Sequence, residues 1–160
     1  MTPSIPTPAT PDPGVTAPTQ IPGPSQRILV VDEDHRVRDS LADLIGLADG
    51  VEVVGTTSQP AETLAAIERL QPSVVLIDPY LPDLEDGLAF IRSLRARGPR
   101  DLRIVATCRD GGIAEVALSA GADVVVDRCA DPVVFQDAVL AAAQPRPADG
   151  GPESSPGGSR

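Results

Sequence analysis

Carboxylates gather where this chain leaves its short apolar runs. Asp32, Glu33 and Asp34 follow Arg27-Ile28-Leu29-Val30-Val31, and Asp78 follows Ser73-Val74-Val75-Leu76-Ile77. Thr107 and Cys108 follow Leu102-Arg103-Ile104-Val105-Ala106, while Asp127, Arg128 and Cys129 follow Asp123-Val124-Val125-Val126. Brought to one place, these run ends make a pocket with several carboxylates, a hydroxyl and a guanidinium. Packed carboxylates repel, so they take up protons unless a cation neutralises them. Oxygen ligands on loops, with neither His nor Cys among them, suit Mg²⁺ over zinc.

The elements that would position these groups are legible as two alternating patterns. The runs above, with Val51-Glu52-Val53-Val54, are mostly continuous and β-branched, as strands buried on both faces require. Between them, Val37, Leu41, Leu44, Ile45 and Ala48 recur at helical spacing, and so do Leu64, Ile67 and Leu70. Leu88, Ile91 and Leu94 follow the same rule, then Ile113, Val116, Ala117 and Ala120, then Phe135, Ala138, Val139 and Ala142. Pro60 and Pro132 suit first helical positions, Asp131 suits an N-cap, and Gly98-Pro99 and Gly121 suit helix ends. Five strands alternating with five helices predict an α/β fold, a doubly wound five-stranded parallel sheet of flavodoxin-like (βα)5 type, order 2-1-3-4-5. In such sheets ligands bind outside the carboxyl ends of the strands, where the polar run ends fall.

Composition bounds the domain and its partners. Eight of the 18 prolines lie in residues 1–25 and four more in 144–160. Those segments read as a disordered Pro/Thr-rich arm and a disordered Pro/Gly/Ser-rich tail, leaving 26–143 as the domain. All 13 basic residues are arginine, against 23 acids, for a net charge of −10. So acidic a chain has no general attraction to phosphate backbones or anionic lipid. No apolar run approaches the roughly 20 residues needed to span a bilayer, and the first residues, with neither a basic start nor a hydrophobic stretch, are not expected to act as a secretory signal. The expectation is a cytoplasmic protein. Cys108 and Cys129 form no metal motif, and a disulfide between them is not expected.

The same residues carry a family likeness. Ile28-Leu29-Val30-Val31-Asp32-Glu33-Asp34, Val74-Val75-Leu76-Ile77-Asp78 with Leu81-Pro82 and Asp86-Gly87, Ile104-Val105-Ala106-Thr107, and Ala120-Gly121-Ala122-Asp123 stand in order at near-normal spacing. Over residues 26–143 the chain resembles the receiver domain of bacterial two-component response regulators. The resemblance implies a stand-alone phosphoacceptor switch, not an enzyme, phosphorylated on Asp78 by a sensor histidine kinase or histidine phosphotransfer protein. It implies Mg²⁺ held by Asp32, Glu33, Asp78 and the Tyr80 backbone carbonyl. Thr107 would bond the phosphoryl oxygens, and Arg128 stands where the family has its invariant lysine. An ionised Asp78 would need no general base, because metal and cation neutralise and align the reacting oxygens. Output would pass through protein contact or homodimerisation on the face of the last two helices and last strand, with no direct DNA binding.

Four departures support an alternative reading. Arg128 replaces a compact ammonium by a planar fork. Cys129 replaces the following proline, so a cis bond there is not expected. Val125 stands at the usual switch aromatic, and the loop from Pro82 to Gly87 is one residue longer than normal. Together these fit a degenerate receiver that binds partners without phosphorylation. A metabolic enzyme on the same fold fits less well: no Gly-x-Gly-x-x-Gly follows a strand, and Tyr80 stands where an Asp-x-Asp phosphohydrolase needs its second acid. Tyr80 is expected part-exposed at the pocket mouth, His35 solvated, and Arg92, Arg95, Arg97 and Arg100 a solvated face.

Overall fold

The computed structural model describes residues 25–144 except Asp110. The expected arm and tail therefore lie, but for Ser25 and Gln144, outside the described residues. The chain runs β1 (Gln26–Val31), α1 (His35–Gly46), β2 (Val51–Thr57), α2 (Pro60–Leu70), β3 (Val74–Ile77), α3 (Leu84–Arg97), β4 (Arg103–Cys108), a 3₁₀ turn (Gly111–Ile113), α4 (Ala114–Ala120), β5 (Val124–Asp127) and α5 (Pro132–Ala143). All four strand pairings are parallel, and the sheet order is β2-β1-β3-β4-β5.

The continuous apolar runs are explained by two cores, one on each face of the sheet. Ile28 and Val30 of β1 pack with Leu41 and Ile45 of α1 and with Phe135 and Val139 of α5. Leu29 and Val31, one step out of phase, pack with Ile67 of α2 and Ile91 and Leu94 of α3. Successive strand side chains point to opposite faces, so helices on both sides require apolar residues at every position.

Asp131 caps α5 as expected, accepting from the Val133 N–H at 2.9 Å. Asp34 and Asp83, which the spacing did not single out, cap α1 and α3 in the same way, accepting from the N–H of Arg36 and Asp86 at 2.9 Å each. Gly121 ends α4 at φ +115°, a conformation open to glycine. β2 runs three residues past the apolar stretch, through Gly55, Thr56 and Thr57, because these pair in register with Leu29, Val30 and Val31.

The expectation of a solvated arginine face fails at Arg95. Arg92, Arg97 and Arg100 are exposed, but Arg95 turns inward from α3. Its Nε donates to the Gly121 carbonyl at 3.0 Å, and its Nη1 to that of Leu102 at 3.2 Å. Nη2 meets Asp123 Oδ2 at 2.6 Å. Asp123 also accepts from the Ile104 N–H at 2.8 Å and pairs with Arg103 at 3.5 Å. A guanidinium with five donors can staple several carbonyls at once, which a helix-face reading of charge does not foresee.

Candidate functional site

Parallel register brings the polar run ends to one edge of the sheet. Val31 pairs with Ile77, Ile77 with Ala106, and Cys108 with Asp127. The residues one step beyond β1, β3 and β5 are Asp32, Asp78 and Arg128, and Thr107 is the second-last residue of β4. The ladder continues into the site: the Asp32 N–H donates to the Thr57 carbonyl at 3.2 Å, and the Asp78 N–H to that of Val31 at 3.0 Å.

At the centre a guanidinium joins two carboxylates. Arg128 Nη1 lies 2.8 Å from Asp32 Oδ2 and 2.9 Å from Asp78 Oδ2. The three side chains are only 9%, 4% and 9% exposed, respectively. The other carboxylate oxygens are fixed by backbone: Asp32 Oδ1 accepts from the Asp34 N–H at 2.9 Å, and Asp78 Oδ1 from the Tyr80 N–H at 3.0 Å. Arg38, on α1, donates from Nη1 to the Asp32 carbonyl at 2.7 Å. Burial pushes the Asp32 carboxyl above its ordinary range, and the neighbouring charge of Asp78 adds to the rise. The Asp34 N–H and the Arg128 cation oppose it.

A cavity of about 450 Å³ opens onto this centre. Asp32, Asp78, Arg128 and Glu33 line it, with Tyr80 at 47% exposure. Arg109 lines it too, two residues beyond Thr107; its place just after a strand was the available signal, and the sequence reading passed over it. Thr107 is 1% exposed and is not among the lining residues; its hydroxyl donates to the Ile77 carbonyl at 3.5 Å. Val125 is half-buried against the α2–α4 side of the sheet. Cys108 is buried, Cys129 is exposed, and no disulfide joins them. Among the described residues the cis peptide bond is Leu81–Pro82, not Arg128–Cys129.

Residues 28–140 match the response regulator receiver domain family. The chain belongs to that family. This receiver is 36% identical over 94 residues to a protein-glutamate methylesterase/protein-glutamine glutaminase of Anaeromyxobacter dehalogenans, a match covering 59% of this chain and 25% of that protein. The chain thus spans about a quarter of that relative. Among solved structures it is similar to a LuxR-family two-component response regulator from Aurantimonas, with 27% identity, TM-score 0.66, and 74% and 85% of the two chains covered. The receiver domain of the putative response regulator NarL from Mycobacterium tuberculosis gives TM-score 0.66 at 24% identity, covering 76% of this chain and 98% of that one. At that identity the likeness shows the fold alone. Receiver domains act in two-component signalling, with histidine kinases or phosphotransfer proteins as partners.

The donor set at the cavity of this receiver fits a hard divalent ion in part. Glu33 and Asp78 present carboxylates to one cavity that Tyr80 also lines, and Mg²⁺ is usually held by one or two carboxylates while keeping several waters. Asp32, also expected as a ligand, and Asp78 each have both oxygens within 3.0 Å of a protein nitrogen. Among the described residues no three His, Cys, Asp or Glu side chains group as metal ligands.

Proposed function

We propose that this receiver is a phosphoacceptor switch in phosphorelay signalling, with Asp78 as the nucleophile. The observation that carries the reading is Asp78 itself: a carboxylate at the sheet's carboxyl edge, lining an open cavity, with a guanidinium 2.9 Å from Oδ2. In the proposed step an Asp78 oxygen attacks the phosphorus of a phosphohistidine on a kinase or phosphotransfer protein. The P–N bond breaks, and the departing imidazole keeps its electron pair and takes a proton from solvent. Asp78 needs no general base, because its ionised form is the attacking one. Arg128 offsets the charge building on the phosphoryl oxygens, which is the main demand of this chemistry. When bound at Asp32, Glu33, Asp78 and the Tyr80 carbonyl, Mg²⁺ would add neutralisation and help align the reacting oxygens. Thr107 would then leave the Ile77 carbonyl for a phosphoryl oxygen, a small sacrifice for so long a hydrogen bond. That shift lies on β4, beside the α4–β5–α5 face proposed as the output and dimer surface. The chain would act in the cytoplasm through protein contact, without an enzymatic activity or DNA contact of its own.

The test is intact mass. Incubation with Mg²⁺ and acetyl phosphate should add one phosphoryl group to the wild type and none to Asp78→Asn. No gain with that donor or with candidate kinases would sink the reading.

A second reading is favoured by Val125, which offers no ring to follow Thr107. In it the domain binds its partner without phosphorylation. It expects Asp78→Asn to bind that partner as the wild type does, whereas the first reading expects the phosphorylation-dependent part of binding to vanish.

A further inference from the structure

We propose that a second cavity, bordering the Asp78 cavity along Arg109 and Arg128, binds a small organic phosphate: a phosphate monoester on a short apolar body. The site stands on its own geometry. Only its effect on phosphoryl transfer rests on reading Asp78 as the phosphoacceptor.

Three observations carry it. The first is the sign of the lining charge. The cavity holds about 500 Å³ and is lined by Arg36, Arg109 and Arg128, with no carboxylate among its lining residues. In a chain of 23 acids and 13 arginines, that one-sidedness runs against the composition. The Asp78 cavity is the contrast, since Asp32, Glu33, Asp34 and Asp78 all face the same two shared arginines there. Asp127, next to Arg128 in the chain, turns its Oδ1 to the Cys129 N–H at 2.8 Å and does not line the basic cavity.

The second is that these cations have capacity for a ligand. Among the described residues neither Arg36 nor Arg109 makes a salt bridge, and both are exposed. Arg128 meets its two carboxylates through Nη1, and its fork carries further N–H donors. The third is an apolar floor. Val37 and Leu41, one turn apart on α1, line the same cavity beside Ser40, with Leu41 buried and Val37 half-buried.

Charge, fork and floor together select the ligand. Cavities of this size take small molecules, and guanidinium forks match phosphate oxygens two at a time. A phosphate monoester carries about −1.5 to −2 at neutral pH, a better match to three cations than a carboxylate. Because Arg109 and Arg128 border both cavities, a phosphate bound in the basic one weakens the positive field that a phosphoryl group meets at Asp78. The ligand is thus a brake on phosphorylation.

The test uses the full chain with phenyl phosphate as the probe, read by titration calorimetry and by alkylation of Cys129 with iodoacetamide. Cys129 is exposed and lines the cavity while Cys108 is buried, so one thiol reports occupancy. Phenyl phosphate should bind about tenfold more tightly than inorganic phosphate, through the apolar contact of its ring, and should slow the alkylation. Arg36→Gln should weaken this binding about tenfold and lift the protection. Arg92→Gln, an equal loss of charge on the exposed face of α3, should change neither readout. Equal weakening by Arg92→Gln would reveal diffuse attraction and overturn the site. So would binding indifferent to the ring, or binding that leaves Cys129 alkylation untouched. With limiting acetyl phosphate and Mg²⁺, phenyl phosphate should slow phosphoryl gain in the wild type and much less in Arg36→Gln. Equal slowing in both would place the competition at Asp78 itself and remove the brake. If Asp78 gains no phosphoryl group at all, calorimetry and alkylation still decide the site, so the two ideas fail separately.

Discussion

Gly87 abuts the backbone of Pro79: a Cβ built on Gly87 would stand 1.7 Å from the Pro79 carbonyl oxygen. The first turn of α3 is thereby pressed against the segment that follows Asp78. No side-chain rotation relieves a clash with backbone. Ala is the better helix former by about 1 kcal/mol, yet overpacking of this kind costs about 1–3 kcal/mol, occasionally more. Gly87→Ala should therefore destabilise the domain and slow phosphoryl gain on Asp78. Urea denaturation beside the intact-mass assay checks this; a stabilised variant would mean the loop yields freely.

Asp123 is the buried end of a staple made by Arg95 and Arg103. Removing one partner of a buried pair costs about 3–5 kcal/mol, and the 29% exposure of Arg95 places Asp123→Ala near the lower end. Arg92→Ala, on the exposed face of the same helix, should stay within about 0.5 kcal/mol. Equal effects in chemical denaturation would contradict the inward assignment of Arg95.

Thr107 donates only a long hydrogen bond, 3.5 Å to the Ile77 carbonyl. Thr107→Val should cost about 1 kcal/mol or less, while phosphoryl gain on Asp78 persists and the conformational response to it is lost. Amide NMR shifts on α4 and β5 before and after phosphorylation separate these effects. A full response in the variant would remove Thr107 from the switch.

The Asp34 carboxyl lies below its ordinary range chiefly because it accepts from the Arg36 N–H, with smaller help from neighbouring charges. A lowered carboxylate favours the folded state at pH above its unfolded value, and that contribution disappears as pH falls through the folded one. The difference in melting temperature between wild type and Asp34→Ala should thus be widest near neutral pH and narrow in acid. A constant difference would show that the cap does not depend on ionisation.

Local order was readable in the chain. Continuous β-branched runs can be stable only between two helical layers, and Asp131 is a residue type that caps a helix through an N–H two positions away. Those effects act over a few residues, so linear spacing reports them, and the strand ends holding Asp32, Asp78 and Thr107 followed from the same logic. The contacts that give the site its character are of another kind. Arg128 reaches Asp32 across 96 positions, Arg95 meets Asp123 across 28, and the Thr107 hydroxyl turns to Ile77 across 30. Side-chain direction and partner choice depend on which groups the packed sheet leaves within hydrogen-bond reach and shielded from water. Only the assembled tertiary structure could therefore decide that Asp32 seats a guanidinium, that Arg95 is a staple and that Arg109 borders the pocket.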